Sequence, residues 1–165
     1  MQRLLIEKMI SNDSKNRPPT KHLLSHPIFW SKSKKLQFLQ DVSDRLEKLD
    51  ADDTIIVELE KNANVTIKNN WKTHICSELI KDLTKFRTYN GLLLRDLLRV
   101  IRNKKHHYRE LSPELKQSLG TLPDEFIDYF TSRFPKLILH VYEVMKCCSQ
   151  ENVIDVYYKM NDNHF

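Results

Sequence analysis

Ser31-Lys32-Ser33-Lys34-Lys35-Leu36-Gln37-Phe38-Leu39-Gln40-Asp41-Val42-Ser43-Asp44-Arg45-Leu46-Glu47-Lys48-Leu49 carries the clearest periodicity in the chain. Leu36, Leu39, Val42, Leu46 and Leu49 fall three or four apart, the spacing of a helix that buries one face. Asp50-Ala51-Asp52-Asp53 breaks it. The same period returns over residues 71–83, where Trp71, Ile75, Leu79 and Leu83 share a face and Asn70 is placed to cap. After Gly91 the stripe is Leu94, Leu97, Leu98 and Ile101. Ser112-Pro113-Glu114-Leu115 opens a further helix, with Ser112 as cap and Pro113 in the first turn, and Gly120 closes it. Residues 123–133 and 135–148 form the last pair, with Phe126, Tyr129, Phe130, Leu137, Val141, Tyr142 and Met145 facing inward.

Between these segments the signals are weaker. Residues 3–11 and 20–25 read as short helices on either side of a break at 12–19, the second ended by His26-Pro27. Residues 54–60 read as a short apolar turn and 62–70 as a polar loop. Only two glycines among 165 residues leave little material for the tight turns of a β-rich fold. The expectation is an all-α, compact helical domain of about eight helices, and Trp30 and Trp71 belong to its core or to an interdomain contact.

The composition, 40% hydrophobic and 30% charged, and the length suit one soluble domain, or one domain with a small appendage. No apolar run approaches the roughly eighteen residues that cross a bilayer, and Met1 to Lys8 is too charged for a signal peptide. Cys76, Cys147 and Cys148 are odd in number and lack metal-ligand spacing, which predicts reduced thiols in a cytosolic compartment.

Charge is distributed unevenly. From Arg95 to Arg109 there are six Lys/Arg residues against the single acid Asp96, so this segment holds the whole formal net charge of +5. Arg95, Arg99 and Arg102 are four and three apart and share a side, expected to be exposed. Arg102-Asn103-Lys104-Lys105-His106-His107-Tyr108-Arg109 then sets cations beside groups that can move protons, which suits a phosphodiester better than a protein partner. The same composition also describes a solvated helix face. Tyr89 and Tyr108 are equally packing tyrosines, Asn103 a helix C-cap, and His106 an inward-facing or capping ring.

Two stretches carry a family resemblance. Leu5-Ile6-Glu7-Lys8-Met9-Ile10-Ser11-Asn12-Asp13-Ser14-Lys15-Asn16-Arg17-Pro18 with Leu23-Leu24-Ser25-His26-Pro27-Ile28-Phe29-Trp30 resembles the last helices of a protein kinase C-lobe. No Gly-rich loop, catalytic Asp or metal-binding Asp accompanies it. Phe86-Arg87-Thr88-Tyr89, Arg95-Asp96-Leu97-Leu98-Arg99, the run from Arg102 to Leu111, Leu122-Pro123-Asp124 and Tyr129-Phe130-Thr131-Ser132-Arg133-Phe134-Pro135 resemble the kinase-extension nuclease domain. That module belongs to the inositol-requiring kinase–endoribonucleases, which sense stress in the endoplasmic reticulum, and to ribonuclease L. The implied division is a kinase remnant over 1–30, a nuclease domain over 31–160 and a tail over 161–165. One departure stands out: where the stress sensors carry a lysine, two glycines and a small residue after the tyrosine, this chain has Asn90-Gly91-Leu92-Leu93.

The resemblance implies metal-independent cleavage of RNA stem-loops by a homodimer, leaving 2′,3′-cyclic phosphate and 5′-hydroxyl ends. It implies His107 as general acid and Tyr89 as general base, with Arg102 and Asn103 holding phosphate oxygens. Lys104 and Lys105, with Arg99 and Arg95 behind them, would complete the phosphate-binding surface. No cofactor is implied for that step; ATP or ADP with Mg would bind only the kinase expected upstream. The implied location is the cytosolic side of the endoplasmic reticulum membrane as part of a larger protein, with no membrane insertion by this segment. Physical chemistry favours the imidazole, which titrates near neutral pH. A free phenol is ionised to only about one part in a thousand there. The rival reading is a non-catalytic basic helical module that binds RNA or drives oligomerisation of a kinase.

Overall fold

The computed structural model describes residues 9–17, 25–85 and 87–159. At its centre is α1 (Lys32–Leu46), capped by the Ser31 hydroxyl, which accepts a hydrogen bond from the Lys34 amide at 3.1 Å. Four of the five residues of its predicted face, Leu36, Leu39, Val42 and Leu46, are buried, whereas the helix stops at Leu46 and Leu49, beyond it, is partly buried. Against it pack α5 (Leu94–His106), α7 (Asp124–Arg133), α8 (Leu137–Met145) and the short α9 (Asn152–Asp155). The smaller helices α2 (Thr54–Glu60) and α3 (Ala63–Thr66) bridge α5 and α8, while α4 (Ser77–Leu83) lies against α6 (Pro113–Leu119). The described residues therefore form nine α-helices with short 3-10 turns and no strand, and the expected all-α class holds.

Trp30 belongs to this core. Its ring meets Phe38 at 5.1 Å, Tyr142 at 5.5 Å and Tyr157 at 5.4 Å between centroids, and its indole N–H donates to the Ser25 carbonyl at 2.9 Å. Such edge-on aromatic contacts add to the burial of large apolar surface. Ahead of it, Arg17 Nε donates to the Ser11 carbonyl at 2.8 Å. Most of the helices expected over 3–11 and 20–25, and the tail at 161–165, fall outside the described residues.

Three readings are corrected. Residues 54–60 form a helix rather than a turn: Asp53 accepts from the Ile55 amide at 2.8 Å, and Ile56 and Leu59 are buried. Burial and the cap outweigh the poor helix propensity of Ile55, Ile56 and Val57. The loop expected over 62–70 contains α3. The helix expected over 71–83 is instead a 3-10 turn (Trp71–His74) followed by α4. Asn70 does cap it, accepting from the Lys72 amide at 3.1 Å, but the Cys76 amide is taken by the Tyr129 hydroxyl at 2.8 Å. A backbone donor spent on a distant side chain cannot continue the helical ladder.

Candidate active site

The helix that carries the basic segment is fastened at its start. Leu93 provides no cap for α5; the Glu60 carboxylate does so from α2, accepting from the amides of Leu94 and Arg95 at 2.9 and 2.8 Å. Burial raises the Glu60 carboxyl above its ordinary range despite those two donors. Arg95 reaches the other way. Its Nη2 donates to the carbonyls of Leu46, Glu47 and Leu49 at 2.6, 3.1 and 2.7 Å, at the end of α1, where helix carbonyls lack partners.

The next two guanidiniums along this face follow the same pattern. Arg99 lies between the Glu47 carboxylate, 3.4 Å from its Nε, and Asp96, 3.4 Å from its Nη1. Arg102 Nη1 meets Asp44 at 3.0 Å and Glu47 at 2.7 Å, and its side chain is only 11% exposed. The side shared by Arg95, Arg99 and Arg102 was expected to face solvent. It faces the C-terminal end of α1, because that end offers carbonyls and carboxylates that cations satisfy.

The opposite end of α5 opens onto a pocket of about 580 Å³. Tyr89, Asn103, Lys104 and His107 all line it, together with Lys85, Arg87, Asp82 and Glu110. Arg102 Nε and Nη2 both donate to Asn103 Oδ1 at 3.1 Å, and Asn103 Nδ2 donates to the Tyr89 hydroxyl at 3.0 Å. A guanidinium has only donors, so Asn103 must turn its oxygen to Arg102 and its NH₂ to Tyr89. The Tyr89 hydroxyl accepts in this bond, and its own hydrogen is not spent on Asn103. His107 follows the last residue of α5 and is 63% exposed. Its Nδ1 lies 3.1 Å from both oxygens of Glu110. An ionised carboxylate only accepts, so Nδ1 carries a proton and Nε2 is the nitrogen left for a ligand.

The remaining predicted residues divide. Lys104 is buried and ion-paired to Asp82. Lys105 is partly buried and does not line the pocket. His106 lies against Gln40 of α1, with 3.1 Å between their nitrogens. Sequence reasoning missed Arg87 and Lys85 as pocket cations and Glu110 as the partner of His107. Arg87 had a signal. It lies two residues before Tyr89, and side chains two apart share a face where the chain is extended. The guanidinium carbon lies 6.0 Å from the centroid of the Tyr89 ring. Among the described residues no three His, Cys, Asp or Glu side chains converge as metal ligands would.

The departing loop 90–93 is pinned rather than loose. Trp71 donates its backbone N–H to the Gly91 carbonyl at 3.0 Å and its indole N–H to those of Asn90 and Leu93, both at 3.1 Å. A Cβ on Gly91 would stand 2.0 Å from Asn70 Oδ1. Gly91→Ala should therefore displace Asn70 as the cap of the 3-10 turn Trp71–His74 and destabilise the domain by about 1–2 kcal/mol, measurable as a lowered Tm. An unchanged Tm would show that the loop has room. Leu92 and Leu93 point outward.

Glu47 makes stability at this junction depend on pH. Burial alone would raise its carboxyl, but Arg102, Arg99 and Arg87 outweigh that and hold it below its ordinary value of 4.5. A depressed carboxyl contributes stability above its unfolded value and loses it as pH falls through the folded one. Glu47→Gln should thus be less stable than wild type near neutrality, the two Tm values converging below about pH 4.5. A gap that persists in acid would contradict the ion-pair account.

Comparison with known proteins places this geometry in context. The family model described as ribonuclease 2-5A matches residues 35–158. Over 154 residues the chain is 47% identical to the human serine/threonine-protein kinase/endoribonuclease IRE2, covering 93% of this chain and 17% of that protein. It is 46% identical to the Caenorhabditis elegans serine/threonine-protein kinase/endoribonuclease ire-1, with 93% and 16% covered. It is 44% identical to the Schizosaccharomyces pombe sensor for unfolded proteins in the ER ire1, with 86% and 13% covered. The chain thus spans less than a fifth of the length of these relatives.

Proposed function

The chain belongs to the ribonuclease 2-5A family, and on that footing we propose that it is the endoribonuclease part of a kinase–endoribonuclease that senses unfolded proteins. The observation that carries this reading is the convergence of Tyr89, Asn103 and His107 on one pocket, joined by the hydrogen bond from Asn103 to Tyr89. The three come from a loop, a helix and the residue closing that helix. Helix packing alone gives no reason to gather a phenol, an amide and an exposed imidazole at one opening.

These positions support the following reaction. Tyr89, as phenolate, takes the proton of a ribose 2′-hydroxyl, whose oxygen attacks the adjacent phosphorus. The bond from phosphorus to the 5′-oxygen breaks, and His107 passes a proton to that leaving oxygen from Nε2 while Glu110 holds Nδ1. The second N–H of the Asn103 amide and the cations Arg87 and Lys85 meet the charge that builds on the phosphoryl oxygens. The products are a 2′,3′-cyclic phosphate and a 5′-hydroxyl. No metal ion takes part, and the substrate is an RNA stem-loop whose unpaired backbone can bend into line.

Within the parent protein this part acts on the cytosolic side of the endoplasmic reticulum, processing mRNA for the unfolded protein response. It works as a homodimer beside an upstream kinase that binds ATP or ADP with Mg. Among the described residues no helix is long and apolar enough to cross a membrane. A labelled stem-loop incubated in EDTA tests the reading. Cleavage should persist in chelator, and the rate per molecule should rise with protein concentration. No cleavage, even from a covalently linked dimer that binds the RNA, would instead support the RNA-binding module.

A further inference from the structure

We propose that Glu47, at the C-terminal end of α1 and outside the pocket, is a positioning residue for cleavage that acts on Tyr89 through two arginines; this rests on the nuclease reading above. The carboxylate divides its two oxygens. Oε2 lies 2.7 Å from Arg102 Nη1 and 3.4 Å from Arg99 Nε, and Oε1 lies 3.9 Å from Arg87 Nη1. Two of these partners lead to the same side chain. Arg102 grips Asn103 Oδ1 with two donors at 3.1 Å, and Asn103 passes an N–H to the Tyr89 hydroxyl at 3.0 Å. Arg87 stands 6.0 Å from the Tyr89 ring centroid, on the pocket wall. One carboxylate thereby restrains the phenol at both its oxygen and its ring.

This arrangement also accounts for why Arg102 does not line the pocket. Its Nη1 is committed to Asp44 and Glu47, and its Nε and Nη2 to Asn103. A planar guanidinium held at one edge by carboxylates presents a fixed fork at the other, which an amide oxygen can fill in only one orientation. Without Glu47 the fork can rotate about its long side chain. The Asn103 amide then loses the reason to keep its NH₂ on Tyr89. Asp44 also meets Nη1, but its side chain is 55% exposed against 33% for Glu47, and only Glu47 reaches Arg99 and Arg87 as well. Misplacement of a reacting group by about 1 Å can cost on the order of 100-fold in rate.

The test is steady-state cleavage of a labelled stem-loop, over a range of RNA concentrations, by wild type, Glu47→Gln, Asn103→Ala and the double variant, with Tm measured for each. Glu47→Gln should lower kcat by about 10–100-fold at an unchanged KM, and should cost less in the Asn103→Ala background than alone, because the route through Arg102 is already broken there and only the one through Arg87 remains. Glu47→Asp keeps the charge but shortens the reach, so it should fold like wild type and lose kcat to a lesser degree. If Glu47→Gln does not fold, Glu47→Asp carries the test, and a wild-type kcat in it would overturn the proposal. Independent, multiplicative losses in the double variant would also overturn it while leaving the nuclease reading intact. A wild type that binds but does not cut would refute the nuclease reading itself.

Discussion

Replacing His107 with Asn should lower the cleavage rate constant by about 10³-fold and leave both RNA affinity and Tm unchanged. The expected size is that of a lost general acid. Without it the 5′-oxygen must leave as an alkoxide, and an amide cannot supply the proton. The expected selectivity comes from placement. His107 follows α5, its side chain is 63% exposed, and its hydrogen-bond and ion-pair partner among the described residues is the exposed Glu110, so removing the ring disturbs no core packing. Glu110→Gln should have a smaller effect, because it loosens the ring without removing it. A reduced Tm in the His107 variant would point to a structural role, whereas loss of the fall in rate at high pH is expected when a general acid is removed. A fully active variant would remove the imidazole from the mechanism.

The largest expected effect on stability lies at Arg95, a residue whose charge alone suggests RNA. Arg95→Met keeps the apolar stem but strips the donors from three carbonyls at the end of α1. Charge-assisted hydrogen bonds of this kind give an expected loss of about 3 kcal/mol, or a Tm lower by about 6–12 °C. The salt dependence of RNA affinity should stay as steep as in wild type. Each lost phosphate contact would reduce the slope by about one, and a reduction of that size would place this guanidinium on the nucleic acid. Lys85 and Arg87, which line the pocket, are where such a reduction is expected.

Arg95 also shows where sequence reading stopped. The helices that could be read were those with long apolar stripes and a recognisable cap: Ser31 before α1, Ser112 with Pro113 at α6, and the run Leu94, Leu97, Leu98 and Ile101 in α5. All four of those α5 residues are fully buried. The short helix at 54–60 was obscured by its β-branched residues, and the break at 75–76 depends on Tyr129, 53 residues away in sequence. Periodicity placed Arg95, Arg99 and Arg102 on one face but could not say what that face meets. The answer lies about fifty residues upstream, in the carbonyls of Leu46, Glu47 and Leu49 and the carboxylates of Asp44 and Glu47.

The pocket itself was legible only in part. Tyr89, Asn103 and His107 came from a family resemblance, since neither charge nor spacing links a tyrosine in a loop to a helix that starts five residues later. Their supports were hidden for a simple reason. Glu110 and Arg87 are common surface residue types, and only the folded chain sets one on the His107 imidazole and the other by the Tyr89 ring.

The chemistry of the cut ends tests the shared site of Tyr89, Asn103 and His107 most directly. A model RNA hairpin is incubated with the protein in excess chelator and the fragments are weighed by mass spectrometry. The expected result is a 2′,3′-cyclic phosphate on the upstream fragment and a 5′-hydroxyl on the downstream one, with both formed about 10³-fold more slowly by His107→Asn. A 3′-hydroxyl paired with a 5′-phosphate, or cleavage that stops when metal is removed, would contradict it.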